Sequence, residues 1–96
     1  MRLNLVIRSR IQSQEVQFDS ERQELVQVGR MVGAGGVIIP SNTVSGHHLD
    51  VVYIPENGGW CVVDQGSTNG TFYQSSRLVP GVPSPLSKEG SIYLGQ

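Results

Sequence analysis

Three short polar stretches, far apart along the chain, carry the side chains best suited to chemistry. Gly29-Arg30 sets a guanidinium where the apolar run Leu25–Val28 meets a glycine-rich loop. Such a group presents five N–H donors in a flat fork that matches phosphate or carboxylate oxygens. Thr43-Val-Ser-Gly-His-His48 brings the Ser45 hydroxyl together with two imidazoles, His47 and His48. Asp64-Gln-Gly-Ser-Thr-Asn-Gly-Thr-Phe72 crowds Ser67, Thr68 and Asn69 between Gly66 and Gly70. Glycines can take positive φ there, and the turn would leave backbone N–H groups open to an anion.

Each stretch also has a plainer reading. An arginine at a strand end is commonly just solvated, and Asn-Gly alone makes a hairpin turn with local Asx and Ser/Thr hydrogen bonds. Adjacent histidines on an extended segment point to opposite faces, which suits them poorly to chelating one ion. One is expected to face inward as a hydrogen-bonded structural histidine and the other outward, with no metal and no cofactor. No third group orients either imidazole toward Asp64 or Cys61, so an enzyme is not expected. Taken together, however, Arg30, Ser45 and Thr68 make a cup of donors with Asn69 beside it. The one carboxylate in these motifs is Asp64, at a strand end. Such a cup suits a dianion.

The elements that must position this cup read as strands. Leu3, Leu5 and Ile7 alternate with Asn4, Val6 and Arg8, the period of a half-buried strand. Val16 and Phe18 are spaced by two, Asp19-Ser-Glu21 reads as a turn, and only Glu21–Glu24 would be content in a helix. Leu25–Val28, Val37–Ile39, Leu49–Ile54, Trp60–Val63, Thr71–Tyr73 and Ile92–Leu94 are short and rich in β-branched or aromatic residues. Gly33-Ala-Gly-Gly36, Pro40-Ser-Asn42, Pro55–Gly59, Gly66–Gly70 and Pro80–Pro85 separate them as loops. The first of these resembles a dinucleotide-binding turn, but Val-Ile-Ile-Pro40 follows it where that fingerprint needs a helix. An all-β sandwich of many short strands is predicted, with loops gathered at its ends.

Composition narrows the partners. A chain of 96 residues holds one domain, 1–96, and its twelve glycines and five prolines favour short strands over long helices. A net charge of −1 provides no global basic field for nucleic acid or an anionic membrane, so neither is expected as a partner. The lone Cys61 excludes an internal disulfide. Leu3–Ile7 is too short for a signal-peptide core or a membrane span, and a cytoplasmic location is the expectation.

In chain order, Gly29-Arg30, Ser45-x-x-His48, Asp64-x-Gly-Ser-Thr-Asn-Gly-Thr-Phe72 and Lys88–Gly95 together resemble the forkhead-associated (FHA) domain family, over roughly residues 25 to 95. The resemblance implies a β-sandwich of about ten to eleven short strands, with loops at one end forming a site that binds phosphothreonine in a partner protein. Carried onto this chain, it implies that Arg30 forks onto the phosphate and that Ser45 donates both its hydroxyl and its backbone N–H. Thr68 would add a hydroxyl, and Asn69 would pair with the main chain of the bound peptide. Gly46, His47 and Ser67 would be auxiliary contacts. His48, Gly29 and Gly70 would be supports, the imidazole tying the loops together and the glycines permitting the turns.

The chain departs from the family in two places. Gly46 and His47 stand where Arg or Asn and then a basic residue are usual. Gly46 removes a side chain that would brace the loop, and His47 carries charge only part of the time, so binding is expected to strengthen on mild acidification until the phosphate takes up its own second proton. The chain also stops at Gln96, where the family usually adds a strand. The expectation is a domain excised from a longer protein, its exposed edge beside the N-terminal strand open to pairing in a homodimer. An alternative reading is a degenerate member acting as a phospho-independent oligomerisation or structural interaction module.

Overall fold

A computed structural model describes residues 1–95 and places ten strands in two five-stranded sheets. The first has the order β2(Ser13–Asp19), β1(Arg2–Arg8), β10(Glu89–Leu94), β7(Thr71–Tyr73) and β8(Ser76–Arg77). The second runs β4(Val37–Ile38), β3(Leu25–Gly29), β5(Leu49–Ile54), β6(Gly59–Asp64) and β9(Ser84–Pro85). Pairing is antiparallel except for β1 with β10 and β3 with β4. Among the described residues no helix is long and apolar enough to cross a membrane.

The two-residue period seen in the sequence fills the core. Leu3, Leu5 and Ile7 of β1 are buried while Arg2, Asn4 and Arg8 are exposed. Val26 and Val28 of β3, Leu49 and Val51 of β5, Val62 of β6, and Ile92 and Leu94 of β10 close the gap between the sheets. At about 25 cal/mol per Å² of apolar surface, this shared layer is the main stabilising contribution. Trp60 caps one end of it, packed on Phe18 at 5.7 Å and Tyr53 at 5.4 Å between ring centroids. Its indole N–H donates to the Met1 carbonyl at 3.1 Å. This meets the usual requirement that a buried indole find an acceptor.

Two expectations need correction. The free edge predicted beside the N-terminal strand is filled: β10 pairs with β1 in parallel from Asn4↔Glu89 to Arg8↔Tyr93, and β2 covers the other side. The outer strands are β2 and β8 in one sheet and β4 and β9 in the other. Second, β8 and β9 fall in segments without a strand signal. Two residues are too few to show a period, and Pro85 is tolerated because β9 is an edge. Glu21–Glu24 makes a turn rather than helix, because Asp19 accepts the backbone N–H of Glu21 on its side chain and those of Arg22 and Gln23 on its carbonyl.

Candidate functional site

The loops after β3, before β5 and after β6 meet at one end of the sandwich. Backbone hydrogen bonds join them before any side chain is considered. Arg30 N–H donates to the Ser45 carbonyl at 2.9 Å, Met31 N–H to Gly46 at 3.0 Å, and Gln65 N–H to His48 at 2.9 Å. Gly29 makes this approach feasible. A Cβ there would lie 2.2 Å from the Gly46 carbonyl oxygen, so only glycine fits. Its φ is not positive, and the reason for glycine is therefore proximity rather than the turn geometry expected from the sequence.

His48 then locks the assembly from inside. It is fully buried, its Nδ1 accepts the Ser45 backbone N–H at 3.0 Å, and its Nε2 faces the Gly70 carbonyl at 2.9 Å. One nitrogen must accept and the other donate, so the pattern selects the neutral Nε2–H tautomer. Burial pushes the imidazole below its ordinary pKa, against the pull of the Gly70 carbonyl and Asp64. The inward and outward histidines are assigned as the alternation predicted. The expectation that the Ser45 N–H is free for an anion is corrected, because His48 takes it.

Asp64 anchors the hairpin. Its carboxylate accepts the backbone N–H groups of Gly66 and Ser67 at 3.0 Å and the hydroxyls of Ser67 at 2.5 Å and Thr71 at 2.6 Å. Burial alone would raise its pKa. The Ser67 and Thr71 hydroxyls, the Ser67 N–H and nearby His48 outweigh that and hold it below its usual range. Ser67 is thus not an auxiliary contact. Its hydroxyl is buried between Asp64 and the Gly70 N–H, which it accepts at 3.1 Å. Gly66 and Gly70 take φ of 74° and 88°, as the turn requires.

What remains facing solvent is a small cleft of about 130 Å³ lined by Arg30, Ser45, Thr68 and Asn69, with Asn42, Thr43 and Val44 completing its wall. Among the described residues no carboxylate lines it. Arg30 Nε donates to the Val44 carbonyl at 3.0 Å, which orients the guanidinium and leaves its terminal nitrogens available. Among the described residues no acidic side chain pairs with it. Ser45 Oγ accepts the Thr68 backbone N–H at 3.1 Å, so its own proton is free to donate outward. Thr68 is exposed. Asn69 Nδ2 donates to the Thr43 carbonyl at 3.0 Å, leaving one N–H and the amide oxygen.

The remaining auxiliary candidates do not join the cleft. His47 contacts Asp50 at 2.6 Å, and Gln65 donates to the other oxygen of the same carboxylate at 3.0 Å. Any charge on His47 is therefore met by Asp50, and the expected gain in anion binding on acidification has no support from its position. Gly46 contributes its carbonyl to Met31 and no side chain. Cys61 is buried on β6 and bonded to its own strand, and burial raises its pKa, so it offers no accessible nucleophile. Asn42 and Thr43 went unassigned in the sequence, where the only signal was the polar run Ser41-Asn-Thr43 before the serine motif.

Comparisons with known proteins show the family and the fold. A family model described as FHA domain matches residues 26–95. An FHA domain-containing protein of Arabidopsis thaliana is 30% identical over 82% of this chain and 20% of its own length. A probable E3 ubiquitin-protein ligase of Schizosaccharomyces pombe is 35% identical over 62% of this chain and 23% of its own. The chain therefore spans about a fifth of the curated relatives it matches. Among solved structures, Rv1747 FHA-1 of Mycobacterium tuberculosis is similar at 27% identity and a TM-score of 0.56, covering 78% of this chain and 70% of that one. An engineered FHA with Myc-pTBD peptide superposes with a TM-score of 0.62 over 90% of this chain and 72% of its own, at 19% identity. Mycobacterium tuberculosis EmbR, in complex with a low affinity phosphopeptide, does so at 0.60 over 88% and 20%, also at 19% identity.

Proposed function

We propose a phosphothreonine-dependent protein-interaction module, proceeding from the premise that this chain belongs to the FHA domain family. The observation that carries the reading is the cleft itself: among the described residues its wall has no carboxylate and includes one guanidinium without an acidic partner and two hydroxyl side chains, drawn from three separate loops. A phosphothreonine carries about −1.5 to −2 charges at neutral pH and three acceptor oxygens. The terminal N–H groups of Arg30 would fork onto two of these, with the Ser45 and Thr68 hydroxyls of the same cleft donating to the phosphate. Asn69 keeps a donor and an acceptor for the peptide main chain beyond its tie to Thr43. Two solved structures of the same fold hold peptides, EmbR a phosphopeptide and the engineered FHA a Myc-pTBD peptide, which supports this reading.

The magnitudes are consistent. Each charge-assisted hydrogen bond is worth roughly 1.5–3 kcal/mol. Three or four of them, less the ordering of a flexible peptide, correspond to affinity in the micromolar range, about −8 kcal/mol. One buried threonine methyl adds about 0.8 kcal/mol over serine. The test is calorimetric titration of phosphothreonine, phosphoserine and unphosphorylated peptide libraries into the wild-type domain and Arg30→Ala. At least tenfold weaker phosphothreonine binding is expected for the variant. Equal binding by both proteins, or of the unphosphorylated library, overturns the reading in favour of a phospho-independent interaction module.

A further inference from the structure

The solvent face of the β2-β1-β10-β7-β8 sheet carries one row that crosses all five strands. The register pairs Ser13 with Arg8, Arg8 with Tyr93, Tyr93 with Phe72, and Phe72 with Arg77. Two aromatic residues thus occupy neighbouring strands, with an arginine on the next strand to either side. Arg8 Nε donates to Ser91 Oγ at 3.1 Å, which orients the side chain and leaves its terminal nitrogens free. The Arg77 guanidinium lies over the Phe72 ring at 6.0 Å and against Gly70. Among the described residues, the acid partners of ion pairs are Asp19, held by Arg2, and Asp50, held by His47, so neither row arginine has one. The rings are half-buried and both arginines exposed, beside a broad groove of about 700 Å³ that Phe72, Ser91 and Tyr93 help to line.

We propose that this row is a second docking surface, separate from the anion cleft, for an acidic extended segment of a protein partner. The pattern of Arg, Tyr and an aromatic neighbour is that of interface residues carrying most of the binding energy. The spacing selects the ligand. The Arg8 and Arg77 backbones are three strand intervals apart, roughly 14 Å at ~4.8 Å each. In an extended peptide, residues one and five lie about 13 Å apart and point to the same face as residue three. Carboxylates at positions one and five therefore come within reach of the two flexible arginine side chains, while an aromatic side chain at position three lies on Tyr93 beside the Phe72 ring that Arg77 already covers. A polynucleotide fits less well. Glu15 stands opposite Val6, and Glu89 opposite Asn4, on the same face, so a phosphate at every nucleotide would meet carboxylates beyond the two arginines.

The probe is an unphosphorylated capped peptide, Glu-Ser-Phe-Ser-Glu, titrated into the nitrogen-15-labelled domain and followed by NMR. Shift changes are expected at Arg8, Phe72, Arg77 and Tyr93, with those of Arg30, Ser45 and Thr68 unmoved. Affinity should fall at least fivefold in Arg8→Ser, in Tyr93→Thr and at 0.5 M salt, where screening shortens to a few ångströms. The Lys-Ser-Phe-Ser-Lys counterpart is expected not to bind. Unchanged shifts along the row, equal binding by the lysine peptide, or saturation of the row by oligouridylate instead each overturn the proposal. Phosphothreonine binding by Arg8→Ser is expected to match wild type, so failure at the row and failure at the cleft are read separately.

Discussion

The imidazole of His48 and the backbone N–H of Ser45 are joined by a 3.0 Å hydrogen bond in which the histidine is the acceptor. A buried side chain thereby determines the shape of the loop whose hydroxyl faces the cleft. It holds only while Nδ1 is unprotonated, and several consequences can be measured.

Stability should fall with mild acid. His48 has its folded pKa depressed below the ordinary 6.5 by burial, so the unfolded chain takes up the proton first. Stability is then complete above pH 6.5, declines as pH drops through the window below it, and levels once the folded imidazole is also protonated. Thermal melts between pH 7.5 and 5 should show this decline, and His48→Gln should flatten it. An unchanged slope in the variant would assign the effect elsewhere.

A second, separate loss belongs to Asp64. Its folded pKa is also depressed, from an ordinary 3.8, so its contribution is present above that value and is lost as pH falls through the folded one. Asp64→Asn removes the charge but keeps the volume, turning an amide toward donors that need an acceptor. Urea unfolding at neutral pH should register a loss of ~3 kcal/mol or more, given four hydrogen bonds to one anion.

Two glycines in contact should behave in opposite ways. Gly29→Ala drives a methyl into the Gly46 carbonyl and should cost ~2 kcal/mol or more. Gly46→Ala meets only Met31 Cβ, at 3.9 Å, and should stay within about 0.5 kcal/mol of wild type. Denaturant midpoints of the pair provide the check.

Ser45→Ala and Ser67→Ala separate ligand contact from support. The first removes a cleft hydroxyl and the acceptor of the Thr68 N–H, and should weaken phosphothreonine-peptide binding at least tenfold with a small change in melting temperature. The second strands the Asp64 and Gly70 contacts and should lower the melting temperature, while affinity in the folded fraction changes less than twofold. Calorimetry and melts on both proteins decide between these outcomes.

Much of this molecule could be read from residue order alone because its signals are local. Alternation at Leu3, Leu5 and Ile7 defines a strand with one buried face, the glycines of Gly66–Gly70 announce a positive-φ turn, and the spacing of Arg30, Ser45, Thr68 and Asn69 carries the family resemblance. Chain order could not say which donors would still be free after folding, because a hydrogen-bonding group is spent on whichever partner the tertiary structure brings near. Ser45 N–H went to His48, Ser67 to Asp64 and His47 to Asp50, leaving Arg30, the Ser45 proton and Thr68 facing the cleft. Register likewise belongs to the assembled sheet. Arg8, Tyr93, Phe72 and Arg77 come from four strands and form one row only through the parallel pairing of β1 with β10, a contact between the two ends of the chain.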